Sequence, residues 1–334
     1  MPDRNTPFCT ASPKGIRYFC NCMRRILAII CCIRLATVVT TAQTARDSWM
    51  AGLSDAMAVC RVSVPGTHDS GTAGVRFPMR HYARTQTLSI SEQWDAGIRF
   101  FDLRPKLEDG KLMIYHGPAD CHLGFEEALL TIRAKLEQHP TEFCIVMTNS
   151  AGGGQTAVDM TMDIINSLFP SGMLASFTAR MTVADMRGHV LFIHRNSPSS
   201  GRNYPGTVAA GWPGNGSSHQ ARMVSSTGNS AGLWSQDFFT DGGRGNYLDS
   251  KWDMVTGMVR AFASAPDGVW CINHLSGYTG SGISTNINRN ARVTNARLLE
   301  YLDNHKKPVG IVPMDFPQQE LIDAIIFLNT FAAE

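Results

Sequence analysis

Short apolar runs rich in β-branched and aromatic residues recur along the chain from about residue 46 onward, separated by polar and glycine-containing segments. Runs of this length and composition are typical of strands that are buried on both faces. We predict eight strands, at residues 58–64, 98–103, 112–115, 143–148, 190–194, 233–239, 269–275 and 309–315.

Segments with helical periodicity lie between many of these runs. Trp252, Val255, Val259 and Phe262, for example, recur at a spacing that places them on one face of a helix. The same criterion predicts helices at residues 123–138, 158–168, 252–265, 287–304 and 318–331.

Buried strands that alternate with helices pair in parallel, and seven or eight of them in one domain favour a closed barrel. We therefore predict an α/β fold, an irregular (distorted) TIM-type β/α barrel that forms a single domain over residues 46–334. The irregularity is expected at residues 196–230, which are rich in Gly, Ser, Pro and Asn and have no strong periodicity. A connection of that length usually serves binding.

The first 45 residues differ from the rest of the chain. Two arginines at 24–25 precede an apolar run at 26–32, which continues at 35–39 after Arg34, and small residues follow at 40–45. This order is typical of a secretory signal, whereas the apolar run is short and interrupted for a membrane span. We predict that residues 1–45 are a leader, either a cleaved signal peptide or an uncleaved membrane anchor, and that the protein is secreted or extracellular.

Composition narrows the function further. Of the 334 residues, 17% are charged and the formal net charge is +2, so the chain lacks the basic excess of a charge-driven nucleic-acid binder. The cysteines after the leader contain no CxxC spacing, which argues against a zinc site, and Cys144 and Cys271 lie in apolar runs typical of buried free thiols. Residues 215–217 form a glycosylation acceptor pattern, which agrees with export.

Charged and titratable side chains cluster at the ends of four predicted strands, where the active site of a β/α barrel lies. These ends carry His68 with Asp69, Asp102 with Arg104, His116, and Asp315. Alternation along a strand places Asp102 and Arg104 on the same side. Each feature alone has a structural explanation, such as a surface histidine in a turn or a core salt bridge. The four together predict an active site.

These segments resemble the X region of phosphatidylinositol-specific phospholipases C, in particular the bacterial, single-domain enzymes. The resemblance rests on the order of motifs at residues 63–72, 96–104, 116–118, 190–195, 211–213, 235–237 and 314–317. It implies attack of the inositol 2-hydroxyl on phosphorus, which releases diacylglycerol and leaves an inositol cyclic phosphate. It also implies that the partner is an inositol phospholipid at a membrane surface.

The resemblance assigns a role to each candidate. It implies that His68 is the general base, that Asp315 orients it, and that His116 is the general acid with Asp69 assisting. Two imidazoles suit these roles because their pKa lies close to neutrality. It implies that Arg104 binds phosphate without a metal ion or other cofactor, and Asp102 is expected to hold Arg104 or nearby backbone.

The resemblance further implies an inositol pocket made by Arg195, Asp237 and Phe239. Several bacterial members carry a lysine at the end of the strand at 143–148, where this chain has Ser150 or Asn149, and we predict Ser150 as a further substrate-binding residue. Aromatic side chains that could reach lipid headgroups, or simply pack, are Phe77, Tyr82, Tyr204, Trp212 and Tyr278.

Two other functions compete with this reading. A metal-dependent glycerophosphodiesterase on a similar barrel would need carboxylates where Arg104 stands. A non-catalytic lipid- or glycan-binding barrel would be indicated by loss of either histidine, and both His68 and His116 are present.

Overall fold

A closed barrel of nine strands dominates the computed structural model, which describes residues 46–280 and 285–330. The strands are β1 (Val64–Thr67), β2 (Phe100–Leu103), β6 (Cys144–Thr148), β7 (Val190–His194), β8 (Thr207–Ala210), β9 (Ser217–Ser225), β10 (Ser230–Gln236), β11 (Trp270–Asn273) and β12 (Ile311–Met314). The predicted leader at 1–45 and the predicted last residue of the final helix lie outside the described residues.

Parallel pairing runs around most of the barrel, and β1 closes it between β12 and β2. The exception is β9, which pairs antiparallel with both β8 and β10. The prediction of a distorted TIM-type barrel is therefore confirmed, whereas the prediction of a wholly parallel sheet is wrong at β9.

Helices cover the outside of much of the barrel. They are α1 (Arg80–Ala83), α2 (Ile90–Asp95), α3 (Phe125–Gln138), α4 (Gly154–Leu168), α5 (Val183–Met186), α6 (Tyr247–Phe262), α7 (Ile287–Leu302) and α8 (Gln319–Phe327). Alternation along each strand divides the apolar core in two. Phe100 and Ile145 belong to one buried cluster with Met50 and Trp270, while the alternate residues of the same strands pack with the helices in a second cluster.

A small antiparallel sheet of β3 (Pro105–Glu108), β4 (Lys111–His116) and β5 (Ala119–Gly124) is inserted between β2 and β6 and lies apart from the barrel sheet. The chain reverses between β3 and β4 at Asp109 and Gly110, whose φ angles of 48° and 76° suit a tight hairpin turn. The predicted strand at 112–115 therefore exists but is not a barrel strand.

Two other predictions are corrected by the structure. The first strand begins at Val64 rather than at residue 58, because Val59–Arg61 form a turn of 3₁₀ helix. Residues 207–225, predicted as loop, contain β8 and β9. The buried positions of β9 are Ala221, Met223 and Ser225, so only two apolar residues mark its buried side and its alternation is weak.

The four cysteines of the described residues, Cys60, Cys121, Cys144 and Cys271, are buried and carry free thiols. Over residues 46–280 and 285–330, no helix is both long enough and apolar enough to cross a bilayer.

Candidate active site

Strand register brings the predicted site residues together. Thr67 at the end of β1 pairs with Met314 of β12 on one side and with Phe101 of β2 on the other. Because the strands are parallel, the residues that follow each pair lie side by side at the carboxyl end of the barrel. His68 is thus placed beside Asp315.

His68 lies between two carboxylates. Its Nδ1 is 2.8 Å from Asp315 Oδ1, and its Nε2 is 3.2 Å from Asp69 Oδ2. Burial alone would lower the pKa of His68, but the charges of Asp69 and Asp315 outweigh that effect and raise the pKa above its usual value. The hydrogen bond to Asp315 leaves Nε2 as the atom that faces the cavity.

His116 comes from the inserted sheet rather than from the barrel. Its Nδ1 donates a hydrogen bond of 2.7 Å to the backbone carbonyl of Ala83, and its Nε2 is 3.4 Å from Asp69 Oδ2. The rings of His68 and His116 are 6.1 Å apart and nearly perpendicular. Both Nε2 atoms therefore converge on one carboxylate oxygen.

Asp69 has an unusual environment for a carboxylate. Its Oδ2 is buried, and neither imidazole contact has the alignment of a hydrogen bond. Its backbone is left-handed, with φ of 45°, a conformation that non-glycine residues adopt mainly where surrounding structure enforces it. A proton on Nε2 of either His68 or His116 would give this oxygen a hydrogen-bond donor.

Arg104 is held by two carboxylates. Its Nε is 2.9 Å from Asp69 Oδ1, and its Nη2 donates a 2.9 Å hydrogen bond to Asp102 Oδ2. Burial opposes charge on both groups, yet their attraction raises the pKa of Arg104 and lowers the pKa of Asp102. A fixed guanidinium with 19% of its side chain exposed thus borders the cavity beside both histidines.

A second set of charged groups, Arg195 and Asp237, lines the same cavity. Asp237 Oδ2 accepts a 2.9 Å hydrogen bond from Trp212 Nε1 and lies 3.3 Å from Arg195 Nη1. The Arg195 guanidinium also stacks over the Trp212 ring, 4.6 Å from its centre. Burial would raise the pKa of Asp237, but nearby positive groups and this hydrogen bond hold it below its usual range.

A cavity of about 980 Å³ connects the two groups. Its lining includes His68, His116, Arg104, Asp315, Arg195, Asp237, Phe239, Gly242, Gly243 and Tyr278. The structure therefore brings together the predicted catalytic and ring-binding side chains.

Ser150 is placed differently. Its hydroxyl donates to the carbonyl of Gly152, and Asn149 rather than Ser150 lines the cavity. Side chains alternate along an extended chain, so Ser150 shares the side of Thr148, whose hydroxyl bonds His194. Of the two residues considered for the lysine position, Asn149 is the one that faces the cavity.

Sequence analysis missed His274, which directly follows β11 at the same end of the barrel. Its ring makes edge contacts with His68 and Trp212, with centres 5.8 and 5.9 Å apart. Burial lowers the pKa of His274 to about 3, so it is neutral and acts as packing beside the site. Its position at a strand end was the signal that could have identified it.

The geometry is suited to moving two protons around a charged centre. One imidazole is oriented by a carboxylate, a second lies near it, and a guanidinium lines the same cavity, where it can stabilise negative charge. Within the described residues, no group of three His, Cys, Asp or Glu side chains is placed to hold a metal ion.

Known proteins are similar to this chain in sequence and in fold. The chain is 26% identical over 305 residues to a 1-phosphatidylinositol phosphodiesterase of Listeria monocytogenes, covering 88% of this chain and 86% of that protein. Among solved structures, the Staphylococcus aureus phosphatidylinositol-specific phospholipase C has a TM-score of 0.72 at 20% identity over 84% of this chain and 98% of that one. The Listeria enzyme has a TM-score of 0.66 at 22% identity over 85% and 98%. No protein-family model matches the sequence. The predicted resemblance is confirmed, and the structural likeness confirms the barrel.

Proposed function

We propose that this chain is a phosphatidylinositol-specific phospholipase C that cleaves an inositol phospholipid into diacylglycerol and an inositol cyclic phosphate. The observation that carries the proposal is the convergence of His68, His116 and Arg104 on Asp69 at the carboxyl end of the barrel. This set supplies a base, an acid and a phosphate-binding cation, which are the three groups that the reaction needs.

In the proposed reaction, His68 Nε2 takes the proton of the inositol 2-hydroxyl as its oxygen forms a bond to phosphorus. Asp315 holds Nδ1–H and stabilises the imidazolium that results. The bond from phosphorus to the glycerol oxygen breaks, and His116 Nε2 gives that oxygen a proton. Because Nδ1 of His116 donates to Ala83, its Nε2 carries a proton only in the imidazolium form, for which Asp69 is the counter-charge.

Arg104 binds the phosphoryl oxygens in this scheme. Asp69 and Asp102 already hold its guanidinium in place, so little reorganisation is needed as negative charge develops. A planar fork of donors matches phosphate better than a point charge does.

The inositol ring is proposed to bind against Arg195, Asp237 and Phe239. Asp237 can accept hydrogen bonds from ring hydroxyls, Arg195 can donate to them, and Phe239 can pack on a ring face. Small residues, Gly214, Gly242 and Gly243, line the same cavity. The room that they leave supports a substituted inositol, such as a glycosylated lipid, as a second substrate.

The lipid tails are proposed to leave on the side of His116. A smaller cavity of about 350 Å³ adjoins it there, with Met79, Tyr82 and Pro118 in its lining. Next to this cavity Phe77 is 78% exposed, and Arg76 and Arg80 are also exposed. An exposed aromatic beside basic residues suits the surface of an anionic membrane.

Phe77→Asp should weaken binding to vesicles of phosphatidylinositol and phosphatidylcholine by about 10-fold, because it places a charge where an apolar ring enters the headgroup layer. Cleavage of a short-chain phosphatidylinositol below its micelle concentration should stay within about 2-fold of wild type, because the mutation lies outside the reacting groups. Leu130→Asp, on the exposed side of α3, is the matched control. Equal losses on vesicles and on monomeric lipid would contradict a membrane role for Phe77.

A direct assay tests the function itself. Residues 46–334 are incubated with phosphatidylinositol and, separately, with a glycosylated inositol anchor, and diacylglycerol is measured from each. Release from the first lipid supports the proposed activity, and release from both supports the wider headgroup range. Binding without release would favour the non-catalytic barrel. Metal-dependent hydrolysis of glycerophosphoinositol, tested as a third substrate, to glycerol 3-phosphate and inositol would favour the glycerophosphodiesterase.

Residues 46–334 are proposed to be the catalytic domain, and residues 1–45 a leader that sends the protein out of the cell or anchors it at the membrane. The charge and apolar pattern of the leader supports this assignment.

A further inference from the structure

The segment 237–240 carries two of the proposed inositol contacts, Asp237 and Phe239, but belongs to no strand or helix. Loop segments of this kind are usually mobile unless their backbone groups are satisfied. Here the backbone is bonded at successive positions. Asp237 N–H donates to the Gly216 carbonyl at 2.7 Å, and the Phe239 carbonyl accepts from Tyr278 N–H at 2.9 Å.

Two buried side chains hold Phe238. Its N–H donates to Gln236 Oε1 at 2.7 Å, and its carbonyl accepts from Lys251 Nζ at 2.8 Å. Lys251 Nζ also lies 3.2 Å from Gln236 Oε1, so lysine, glutamine and backbone form one network. Lys251 projects from α6 and is fully buried.

A buried lysine is costly, and burial lowers the pKa of Lys251 to about 7. The two oxygens that its Nζ contacts belong to neutral groups. An apolar side chain in its place would leave the Phe238 carbonyl without the donor that Lys251 supplies. The lysine is therefore better explained by what it holds than by a contribution to stability.

Asn215 holds the other half of the segment. Its Oδ1 accepts from Phe239 N–H at 2.8 Å and from Thr240 N–H at 3.2 Å, while its Nδ2 donates to the Thr240 carbonyl at 2.8 Å. Asn215 is the acceptor position of the glycosylation pattern noted in the sequence, and the amide nitrogen that a glycan would modify is engaged here. Its side chain is nonetheless exposed, so its replacement need not disturb the core.

We infer that Asn215 and Lys251 are positioning residues that fix Asp237 and Phe239 for the inositol ring and so set its affinity. Their hydrogen bonds are to segment 237–240 and to Gln236, and not to Arg104 or the two histidines. The inference rests on the proposed function, because it takes segment 237–240 as one wall of the inositol pocket. A pre-ordered wall binds the ring without the entropy cost of ordering a loop.

Asn215→Ala is the main test, with Asn229→Ala as the matched control, because Asn229 is an exposed asparagine in the turn between β9 and β10. Asn215→Ala should raise the KM for phosphatidylinositol in mixed micelles by about 5- to 30-fold, with kcat within about 3-fold of wild type. Asn215→Asp keeps the two acceptor contacts and loses the donor, so its KM should fall between those of wild type and alanine. The melting temperature of all three should match that of wild type.

Lys251→Met is an independent second variant. It should raise KM in the same way, because the Phe238 carbonyl loses its side-chain donor. Should Lys251→Met fail to fold, the Asn215 series decides the question alone. A KM for Asn215→Ala no higher than that of Asn229→Ala, or a loss confined to kcat, would overturn the inference.

Calorimetric titration with myo-inositol separates this inference from the proposed function. Weaker myo-inositol binding by Asn215→Ala than by Asn229→Ala supports the positioning role even if no diacylglycerol is ever released. If the wild-type protein releases diacylglycerol, but wild type and Asn215→Ala bind myo-inositol with equal affinity, the positioning role alone is overturned. Wild-type protein that neither turns over lipid nor binds myo-inositol overturns both.

Discussion

Alanine at position 116 should lower kcat on phosphatidylinositol by about 10²–10⁴-fold, because the glycerol oxygen would leave as an unprotonated alkoxide. On an inositol phosphodiester with an acidic aryl leaving group, which needs no proton, much of this loss should be recovered. The measurement is the ratio of kcat on the two substrates, for wild type and variant. His116 is half-buried on the inserted sheet, so the melting temperature should change little.

His68→Ala is the informative comparison. It should lose activity to a similar degree on both substrates, because the inositol hydroxyl needs a base whatever the leaving group. His219→Ala, at an exposed histidine on β9, should behave as wild type. Recovery by His68→Ala on the aryl substrate, and none by His116→Ala, would show that the two roles are reversed.

The charge environment of His68 adds a pH dependence to this result. Its pKa is raised because the attraction of Asp69 and Asp315 outweighs burial, and a base must be unprotonated to act. The kcat/KM of wild type should therefore fall as pH drops through a value above about 6.5, the ordinary pKa of histidine. Asp315→Asn removes one of the charges and should move this acidic limb to lower pH.

Arg104→Lys should be nearly as damaging, with kcat/KM reduced by about 10²–10³-fold, although the positive charge is retained. An ammonium cannot contact Asp69, Asp102 and a phosphoryl oxygen through one planar fork. Arg133→Lys, at a surface ion pair on α3, is the matched control and should leave kcat/KM unchanged.

Exhaustive chelation with EGTA should leave wild-type activity intact, because the guanidinium occupies the space between Asp69 and Asp102 where a divalent ion would otherwise find carboxylates. These two carboxylates also fall short of the six to eight oxygens that calcium normally takes. If EGTA abolishes wild-type activity and added calcium restores it, the site belongs to metal-dependent chemistry and the proposed role of Arg104 is wrong.

The catalytic end of the barrel could be predicted because parallel strands convert sequence order into proximity. The residues that follow β1, β2 and β12 must meet at one edge, so His68, Arg104 and Asp315 were found from strand ends alone. Each of these strands is buried along its whole length.

Other parts were not predictable because their signals are weak or non-local. The hairpin between β3 and β4 has an Asp-Gly turn at 109–110 that could have marked it, but periodicity alone cannot tell a barrel strand from a strand of a side sheet. β9 has only two apolar residues on its buried side and therefore resembles a loop in sequence. The side-chain contacts that Asn215 and Lys251 make with segment 237–240 could not be predicted, because no local pattern reveals their partners.

The placement of His116 on the inserted sheet has a consequence for how this protein could change over evolution. His68, Asp315 and Arg104, the proposed base, its carboxylate partner and the proposed phosphate-binding arginine, follow barrel strands, whose packing the whole fold depends on. The proposed acid lies on residues 105–124, which are inserted between β2 and β6 and are not part of the closed barrel. Sequence changes in residues 105–124 can abolish the proposed cleavage while the barrel and the headgroup pocket are retained. A lineage of this architecture can therefore turn from a lipid-cleaving enzyme into a lipid receptor by a change in one hairpin.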